Sequence, residues 1–249
     1  MRIKVTLSTP VETSIEMNYN YYVSSMIYEL LRKSSTQYST KLHESGYTLG
    51  NKKFKLFTFS NHFPEKYKVD KNYLNVQGKL VFYITSPMRE FVLHLAEGLL
   101  SAQRVNIGKS EFFIETVEAL PEPKFSREMS FRCISPIATT TVEEVDGKKR
   151  AIPCAPGSTK FAENIKNNLI RKYYLIYGRL PDDLSLDIEF DERDLEKYGR
   201  GKLIKFKEVF IKAYSIPFTL RGSIELMKVG YECGFGEKNS AGCGMVERR

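Results

Sequence analysis

The sequence of 249 residues contains no tryptophan, three histidines and four cysteines. The cysteines, Cys133, Cys154, Cys233 and Cys243, have no CxxC spacing, and no histidine lies next to a cysteine pair. Zinc sites usually combine closely spaced cysteine and histidine ligands, and a chain of this length can bury a core without covalent staples. The pattern therefore argues against a zinc site and a disulfide framework, and reduced thiols in a cytoplasm are the simplest interpretation.

Long hydrophobic runs are also missing. The longest apolar segments, LVFYI and FVLHLAEGLL, are too short or too interrupted to span a bilayer. The first residues, MRIKVTLSTPVE, lack the apolar core of a secretory leader. We therefore expect no membrane partner.

Acidic residues do not form a set that would suit a metal-dependent nuclease. The pair Asp182-Asp183 and the segment 191–194 are interpreted as solvated loop charges, whereas a two-metal site needs several carboxylates on one face. The sequence predicts no metal site and no cofactor.

Negative charge is outnumbered by positive charge. The formal net charge is +8, which favours a partner with an anionic backbone or surface, such as a nucleic acid. The alternative is a basic protein that has no nucleic-acid role. The 42% hydrophobic and 27% charged content is ordinary for a folded domain and argues against disorder.

Hydrophobic periodicity in the first half predicts the order β-α-β-β-α-β. Ile3, Val5 and Leu7 alternate as in a half-buried strand, and the apolar residues of 19–35 recur at helical spacing. The remaining elements are expected as strands at 54–60, 79–85 and 110–117 and a helix that begins at Ser86-Pro87 and continues to residue 100. This order is typical of a ferredoxin-like sheet with both helices on one face.

The second half shows a similar pattern. We expect strands at 129–137, 184–190, 202–216 and 243–248, a hairpin with a loop in 139–158, and helices around 161–173 and from residue 223. The segment PEPK, residues 121–124, marks a break. The sequence thus predicts an α+β protein with two tandem ferredoxin-like (RRM-like) domains and antiparallel sheets, at 1–122 and 128–249. A single large α+β domain is the alternative.

Glycine is concentrated near the end of the chain, in GYECGFGEKNSAGCGMV at residues 230–246. Glycines allow positive φ and close backbone approach, so consecutive N–H groups can converge on an anion. The spacing fits neither a dinucleotide fingerprint nor a P-loop. We expect backbone contact with nucleic acid, whereas the alternative is a turn that lets two domains pack tightly. The candidate RNA-binding residues of this glycine loop are Gly234, Gly236, Lys238, Asn239, Ser240, Gly242 and Gly244.

The glycine loop closely resembles the signature loop of the CRISPR repeat-processing endoribonucleases, which belong to a superfamily built from ferredoxin-like folds. The resemblance extends to the first sixty residues, to the segment near 135–153 and to the domain order. It implies a metal-independent enzyme that cuts CRISPR precursor transcripts within each repeat to give guide RNAs. The 2′-hydroxyl of the RNA would attack the adjacent phosphate and leave a 2′,3′-cyclic phosphate and a 5′-hydroxyl. The implied partner is CRISPR repeat RNA, and other CRISPR-associated proteins and a homodimer stay open as further partners.

The resemblance also implies three catalytic residues. The family's archaeal-type pattern has a tyrosine in the first helix, a histidine after it and a lysine before Leu-Phe-Thr, which match Tyr28 in MIYELL, His43 in KLHESGY and Lys55 in FKLFT. An imidazole suits proton transfer at neutral pH, so His43 would act as general acid or base. Lys55 would stabilise the phosphate charge, and Tyr28 would orient the 2′-hydroxyl or share its proton transfer. Lys52 and Lys53 compete for the role of the lysine.

The positions of these residues leave simpler alternatives open. On a helical wheel Tyr28 lies about 140° from Val23, on the polar side, where an ordinary surface tyrosine is also possible. For His43 the simpler alternative is a histidine in a solvated loop. Of the other histidines, His62 in SNHFPEK is expected in a surface loop, and His94 is expected to be a structural residue within a helix.

Lysines elsewhere suggest a path for RNA. Lys205 and Lys207 alternate with apolar residues, so we expect both on one side of a strand, and Lys172 is expected to add charge to a helix surface. A groove between the two domains, with the glycine loop as its floor, is the expected RNA path. The alternatives to the enzyme are a non-catalytic RNA-binding subunit of a CRISPR interference complex and a general basic RNA-binding module.

Overall fold

The computed structural model describes residues 1–249, and its strands and helices divide into an N-terminal and a C-terminal half. The N-terminal half has β1 (Arg2–Glu16), α1 (Asn20–Ser34), α2 (Thr36–Glu44), β2 (Tyr47–Leu49), β3 (Lys52–Phe54), β4 (Thr58–Phe59), β5 (Phe63–Asp70), β6 (Tyr73–Thr85), α3 (Arg89–Ser101), β7 (Arg104–Ile107) and β8 (Ser110–Leu120). The C-terminal half has β9 (Glu128–Cys133), β10 (Thr140–Val145), β11 (Lys148–Pro153), α4 (Thr159–Tyr177), β12 (Leu186–Glu189), α5 (Glu192–Tyr198), β13 (Lys202–Phe206), β14 (Val209–Ala213), β15 (Phe218–Gly222), α6 (Ile224–Cys233) and β16 (Val246–Arg248).

The main sheet of the N-terminal half is antiparallel and has the strand order β4-β6-β1-β8-β7, with β5 also paired to β6. The alternation that predicted β1 places Ile3, Val5 and Leu7 in the core, because successive strand residues point to opposite faces. Helices α1 and α3 pack against each other and contribute their apolar faces to the same core. This is the predicted ferredoxin-like arrangement.

The main sheet of the C-terminal half has the order β12-β15-β9-β16 and is also antiparallel. The first strand of the half, β9, is central, and the last, β16, pairs with it, as β8 pairs with β1 in the first half. β16 is an edge strand, whereas β8 is followed in its sheet by β7. Helices α4 and α6 pack against each other. The predicted fold class, two tandem ferredoxin-like folds with antiparallel sheets, is confirmed.

Buried apolar side chains form two large clusters. The members of one cluster lie between residues 3 and 112, and those of the other lie between residues 129 and 246, with Leu56 in addition. A domain boundary between 122 and 128 agrees with this separation, although the limits 1–122 and 128–249 stay a prediction.

The expected strand at 54–60 is wrong over most of its length. β3 ends at Phe54, and only Thr58 and Phe59 pair with the main sheet. Leu56 between them has a φ of 51°, a left-handed conformation that interrupts an extended strand. Phe57 is then fully buried in the N-terminal core. The apolar character of this segment reflects burial and not strand pairing.

Several element boundaries also differ from the expected ones. The segment expected as one strand at 202–216 is the hairpin β13–β14. The strand expected at 129–137 is β9, which ends at Cys133. The helix expected from Ser86-Pro87 is α3, which begins at Arg89. Helices α2 and α5 and strand β15 were not predicted, because each is short and its periodicity is weak. None of the helices is long and apolar enough to cross a bilayer.

His62 is not in a surface loop, as the sequence suggested, but in the core. Its side chain is 6% exposed, and its ring stacks on Tyr19 with 4.5 Å between ring centroids. Neither ring nitrogen has a hydrogen-bond partner. Burial lowers the pKa of His62 to about 3, because a charged imidazole would lose its hydration.

The glycine loop joins the two halves. The Asn20 side chain of α1 donates a hydrogen bond to the carbonyl oxygen of Ala241 at 3.0 Å, and the Thr58 hydroxyl donates to that of Cys243 at 2.8 Å. A Cβ atom at Gly242 would lie only 2.5 Å from Cε2 of Phe59, so a larger residue there would push the halves apart. The alternative interpretation of the glycines, close packing between domains, therefore has direct support.

We expect the buried imidazole of His62 to make folding sensitive to acid. The unfolded chain binds a proton near pH 6.5 and the folded chain only near pH 3, so stability is lost as pH falls between these values. Between pH 7 and about pH 4.5 this group should remove about 2–3 kcal/mol from the free energy of unfolding. His62→Phe should abolish that part of the loss, measured by urea unfolding at both pH values.

Ile84→Val is the control for the His62 experiment. It removes one buried methyl group from β6 and keeps the imidazole, so it should lower stability by about 1 kcal/mol at every pH. An equal acid sensitivity in His62→Phe and Ile84→Val would contradict the assignment.

Close packing of the glycine loop predicts a large cost for a side chain at Gly244. Its φ is 85°, and a Cβ there would overlap the carbonyl oxygen of Phe235. Gly147, in the β10–β11 turn, has a φ of 72° and no atom within 4 Å of its Cβ position, so Gly147→Ala measures left-handed strain alone. We expect Gly244→Ala to lower the free energy of unfolding by roughly 2 kcal/mol more than Gly147→Ala. Equal losses would show that steric overlap is not important.

Candidate active site

A cavity of about 620 Å³ lies between α1, α2, the tip of the β13–β14 hairpin and the glycine loop. Tyr28, His43 and Lys55 all line it, and so do Lys207 and Ser240. The structure thus brings the three predicted catalytic residues to one place, next to two of the predicted RNA-binding residues.

His43 is held in the last turn of α2 and not in a loop. The helix begins at Thr36 because the Ser35 hydroxyl accepts a hydrogen bond from the Tyr38 N–H at 3.2 Å, which satisfies one free donor of the first turn. Tyr38 and Leu42 are buried, whereas His43 is exposed to the cavity. An exposed imidazole on a packed helix has a fixed position and free access to a ligand.

Tyr28 contacts His43 directly. The rings meet edge to face with 5.1 Å between centroids and an interplanar angle of 85°, and the Phe57 ring packs against Tyr28 from the core. Tyr28 is therefore half-buried and not an ordinary surface residue. Burial raises the pKa of Tyr28, so its hydroxyl stays protonated at neutral pH and can donate a hydrogen bond.

Lys55 reaches the C-terminal end of α2. Its ammonium donates hydrogen bonds to the carbonyl oxygens of Leu42 and, at 2.7 Å, of His43. An ammonium has three N–H donors, so one is left for a ligand. Burial, with a smaller contribution from the charge of Lys53, lowers the pKa of Lys55. Positive charge at this position also complements the negative end of the helix dipole.

The competing lysines lie elsewhere. Lys52 and Lys53 are exposed on β3 and do not line the cavity around His43. The Lys53 ammonium donates to the carbonyl oxygen of Glu44 at 3.2 Å. The geometry favours Lys55 over both, although the role of the lysine stays a prediction.

The glycine loop contributes few accessible groups. Gly234, Gly236, Gly242 and Gly244 are buried. The Asn239 side chain donates to the carbonyl oxygens of Phe235 and Cys243, at 3.2 and 2.9 Å. Lys238 is exposed and Ser240 is half-buried, so these two side chains of the loop are accessible to a ligand.

Lys205 and Lys207 do not share one strand face. Lys205 is exposed on β13, whereas Lys207 lies in the hairpin turn with a φ of 54°. The expected alternation ends at Phe206, because the chain reverses there. Lys207 lines the cavity and lies 5.0 Å from the centre of the Tyr21 ring.

Two basic residues have roles that the sequence analysis did not assign. Arg32 follows Tyr28 by one helical turn and lines the cavity, so the spacing of four residues could have identified it. Lys172 was expected on a helix surface but is 1% exposed, and it bonds the glycine loop from below. Its helical spacing gives no sign of this burial.

The donor set of the cavity suits proton transfer and the binding of an anion. It combines an imidazole, a protonated phenol and three long cations, with Glu29 and Glu44 also on its wall. No group of three or more histidine, cysteine, aspartate or glutamate side chains is placed to ligate a metal ion.

Comparison with known proteins agrees with this arrangement. The family model "CRISPR-associated protein Cas6, N-terminal" matches residues 14–118, and "CRISPR associated protein Cas6, C-terminal" matches residues 120–248. CRISPR-associated endoribonuclease Cas6 1 of Methanocaldococcus jannaschii is 36% identical over 99% of this chain and 92% of its own length. CRISPR-associated endoribonuclease Cas6 of Pyrococcus furiosus is 34% identical over 94% of this chain and 83% of its own.

A solved structure described as "CRISPR associated protein Cas6" superposes with a TM-score of 0.82 at 34% identity, covering 100% of this chain and 99% of that one. The family models thus match both halves of the chain, the relatives match it over nearly its whole length, and the solved structure matches its fold. The chain belongs to the Cas6 family of CRISPR-associated endoribonucleases.

Proposed function

We propose that this protein cuts CRISPR precursor transcripts within each repeat and that the cavity around His43 is where the RNA is cut. The observation that carries the proposal is the meeting of His43, Tyr28 and Lys55 in one cavity that Ser240 of the glycine loop also lines. The relatives named as endoribonucleases support the activity. The roles of the individual residues are our inference from the geometry.

His43 acts as general base. Its imidazole takes the proton from the 2′-hydroxyl, and the 2′-oxygen attacks the adjacent phosphorus. The bond from phosphorus to the 5′-oxygen of the next nucleotide breaks. The products are a 2′,3′-cyclic phosphate and a 5′-hydroxyl.

Tyr28 and Lys55 support the transition state. The third N–H of the Lys55 ammonium neutralises charge that develops on the phosphoryl oxygens. Tyr28 stays protonated, so it acts as a hydrogen-bond donor that orients the reacting group and does not remove a proton. The leaving 5′-oxygen takes its proton from the Lys55 ammonium, whose pKa is lowered by burial, and Tyr28 keeps its own.

The two halves divide the work. The N-terminal domain, residues 1–122, carries His43, Tyr28 and Lys55, and the C-terminal domain, residues 128–249, supplies the glycine loop. We place the reaction in the cytoplasm, which the four free cysteines support because thiols persist in a reducing compartment.

Replacement of the base should stop cutting without loss of RNA binding. We expect His43→Ala to slow cleavage of a labelled CRISPR-repeat RNA in EDTA by roughly 10²–10⁴-fold, the usual contribution of a positioned general base. The dissociation constant should change by less than about twofold, since one exposed ring contributes little to phosphate neutralisation.

Gln37→Ala is the matched control for His43→Ala, because Gln37 is exposed on the same helix and does not line the cavity. It should cut at the wild-type rate. Binding of repeat RNA without any cutting by the unaltered protein would instead favour the non-catalytic subunit.

Internal attack predicts a strict need for one hydroxyl. A single 2′-deoxy nucleotide just upstream of the scissile phosphate should block cutting at that phosphate, because no other nucleophile is available on the RNA. The same substitution two nucleotides further upstream should leave the rate nearly unchanged, as measured by gel analysis of end-labelled RNA. Continued cutting of the first RNA would refute attack by the 2′-oxygen.

A further inference from the structure

A second cavity, of about 400 Å³, lies directly beside the candidate active site. The two cavities share Lys55 and Ser240 on their walls. One side of the second cavity is β3, with Lys52 and Lys53, and the other is the glycine loop, with Lys238. A strand bound in the first cavity can therefore continue past Lys55 into the second.

The second cavity is strongly positive. Five lysines line it, and Glu237 is the only acidic residue on its wall. Glu237 accepts a hydrogen bond from the Thr140 hydroxyl at 2.8 Å. Lys52, Lys53 and Lys238 are exposed, so their ammonium groups are available to an anionic ligand such as a phosphate.

One polar side chain of the second cavity lacks a partner. Asn168 lies on α4, one turn before Lys172, and is 9% exposed. Its Oδ1 oxygen has no hydrogen-bond partner. A buried carbonyl oxygen without a donor is unfavourable, and most such groups in folded proteins are satisfied by the chain, by water or by a ligand. The oxygen is shielded in this structure, so a ligand with an N–H or O–H satisfies it once the Asn168 amide turns toward the cavity.

We propose that the second cavity is a binding subsite for the nucleotide next to the scissile phosphate. Lys52, Lys53 and Lys238 bind its phosphate, and Asn168 accepts a hydrogen bond from its sugar or base. A nucleotide combines the two required features, an anion and a hydrogen-bond donor, within one unit. This inference rests on the proposed function, because it takes the cutting site to be the cavity around His43.

The subsite gives Lys52 and Lys53 a role distinct from that of Lys55. Lys55 serves both cavities, whereas Lys52 and Lys53 line only the second. Lys172 beneath the cavity is already occupied by three acceptors of the glycine loop, so it adds positive potential but no free donor.

The phosphate contacts can be tested through the salt dependence of RNA binding. The probe is a repeat RNA with a 2′-deoxy nucleotide at the cutting position, which stays intact. Changing Lys52 and Lys53 together to Gln should reduce the slope of log affinity against log salt by about 0.7, because the pair binds one phosphate of a single strand.

The control for the salt experiment is the pair Lys148 and Lys149, changed together to Gln. Both are exposed on β11, outside the two cavities, and the charge change is the same. Its slope should stay at the wild-type value. Equal slopes for the two double variants would overturn the assignment of the lysines.

The role of Asn168 can be tested with RNA length. Asn168→Leu keeps the branched shape of the side chain and removes the acceptor, and its unfolding is measured first to establish that it folds. We expect about tenfold weaker binding of the full repeat RNA. Two shortened RNAs complete the test: one ends at the cutting position, and the other begins there. One of them lacks the nucleotide that occupies the subsite. Wild type and Asn168→Leu should bind that RNA with equal affinity.

The outcomes separate the subsite from the proposed function. A ratio of wild-type to Asn168→Leu affinity that is the same for all three RNAs would overturn the subsite. A failure of the unaltered protein to cut the unmodified repeat RNA would overturn the proposed function instead, because the subsite experiments measure binding alone. Weaker binding of inorganic phosphate and of RNA to the same degree in Lys52→Gln/Lys53→Gln would show a general anion site and would also contradict nucleotide binding.

Discussion

A single buried ammonium holds the glycine loop in place within the C-terminal half. Lys172 of α4 donates hydrogen bonds to the carbonyl oxygens of Gly234 and Gly236, at 2.7 and 2.9 Å, and to Oδ1 of Asn239 at 2.8 Å. Burial lowers its pKa to about 8, so the group is still mostly protonated at neutral pH and uses all three donors. These acceptors would otherwise be buried without partners, which is unfavourable. The path of the glycine loop therefore depends on this one side chain.

The position of the loop in turn determines the shape of both cavities. Ser240 lies on the shared wall because the loop is held from below by Lys172 and from the side by Asn20 and Thr58. Arg2 of β1 adds a further link, since its guanidinium donates to the carbonyl oxygen of Val246 at 2.7 Å and lies over the Tyr231 ring. Groups from distant parts of the sequence are thus held together by direct hydrogen bonds.

Much of the fold could be predicted from periodicity. The alternation of Ile3, Val5 and Leu7 and the helical spacing of residues 19–35 are set by burial on one face, which is a local property of the sequence. The conformation of Leu56 could not be predicted, because a left-handed residue depends on where Phe57 finds its place in the core. The burial of His62 and Lys172 also depends on tertiary contacts. Polar side chains are usually solvated, so the sequence predicted exposed positions for both residues.

The candidate site could be predicted in part. The choice of Tyr28, His43 and Lys55 came from the family pattern, and their common cavity agrees with it. The glycines were identified as important, but what they accommodate is the close approach of Phe59 and of the loop's own backbone. Asn168 has no feature in the sequence that separates it from an ordinary helical surface residue. Its significance depends on a side-chain oxygen without a hydrogen-bond partner, which becomes evident only in the folded structure.

The bonds from Lys55 to the carbonyl oxygens of Leu42 and His43 couple two effects that are usually treated as separate. The same ammonium that lines the candidate active site also anchors the backbone from which the imidazole projects. In the proposed reaction, charge stabilisation at the phosphate and placement of the His43 ring would therefore depend on the same lysine. Evolution could adjust one only by disturbing the other, and a guanidinium of different shape at this position would alter both together.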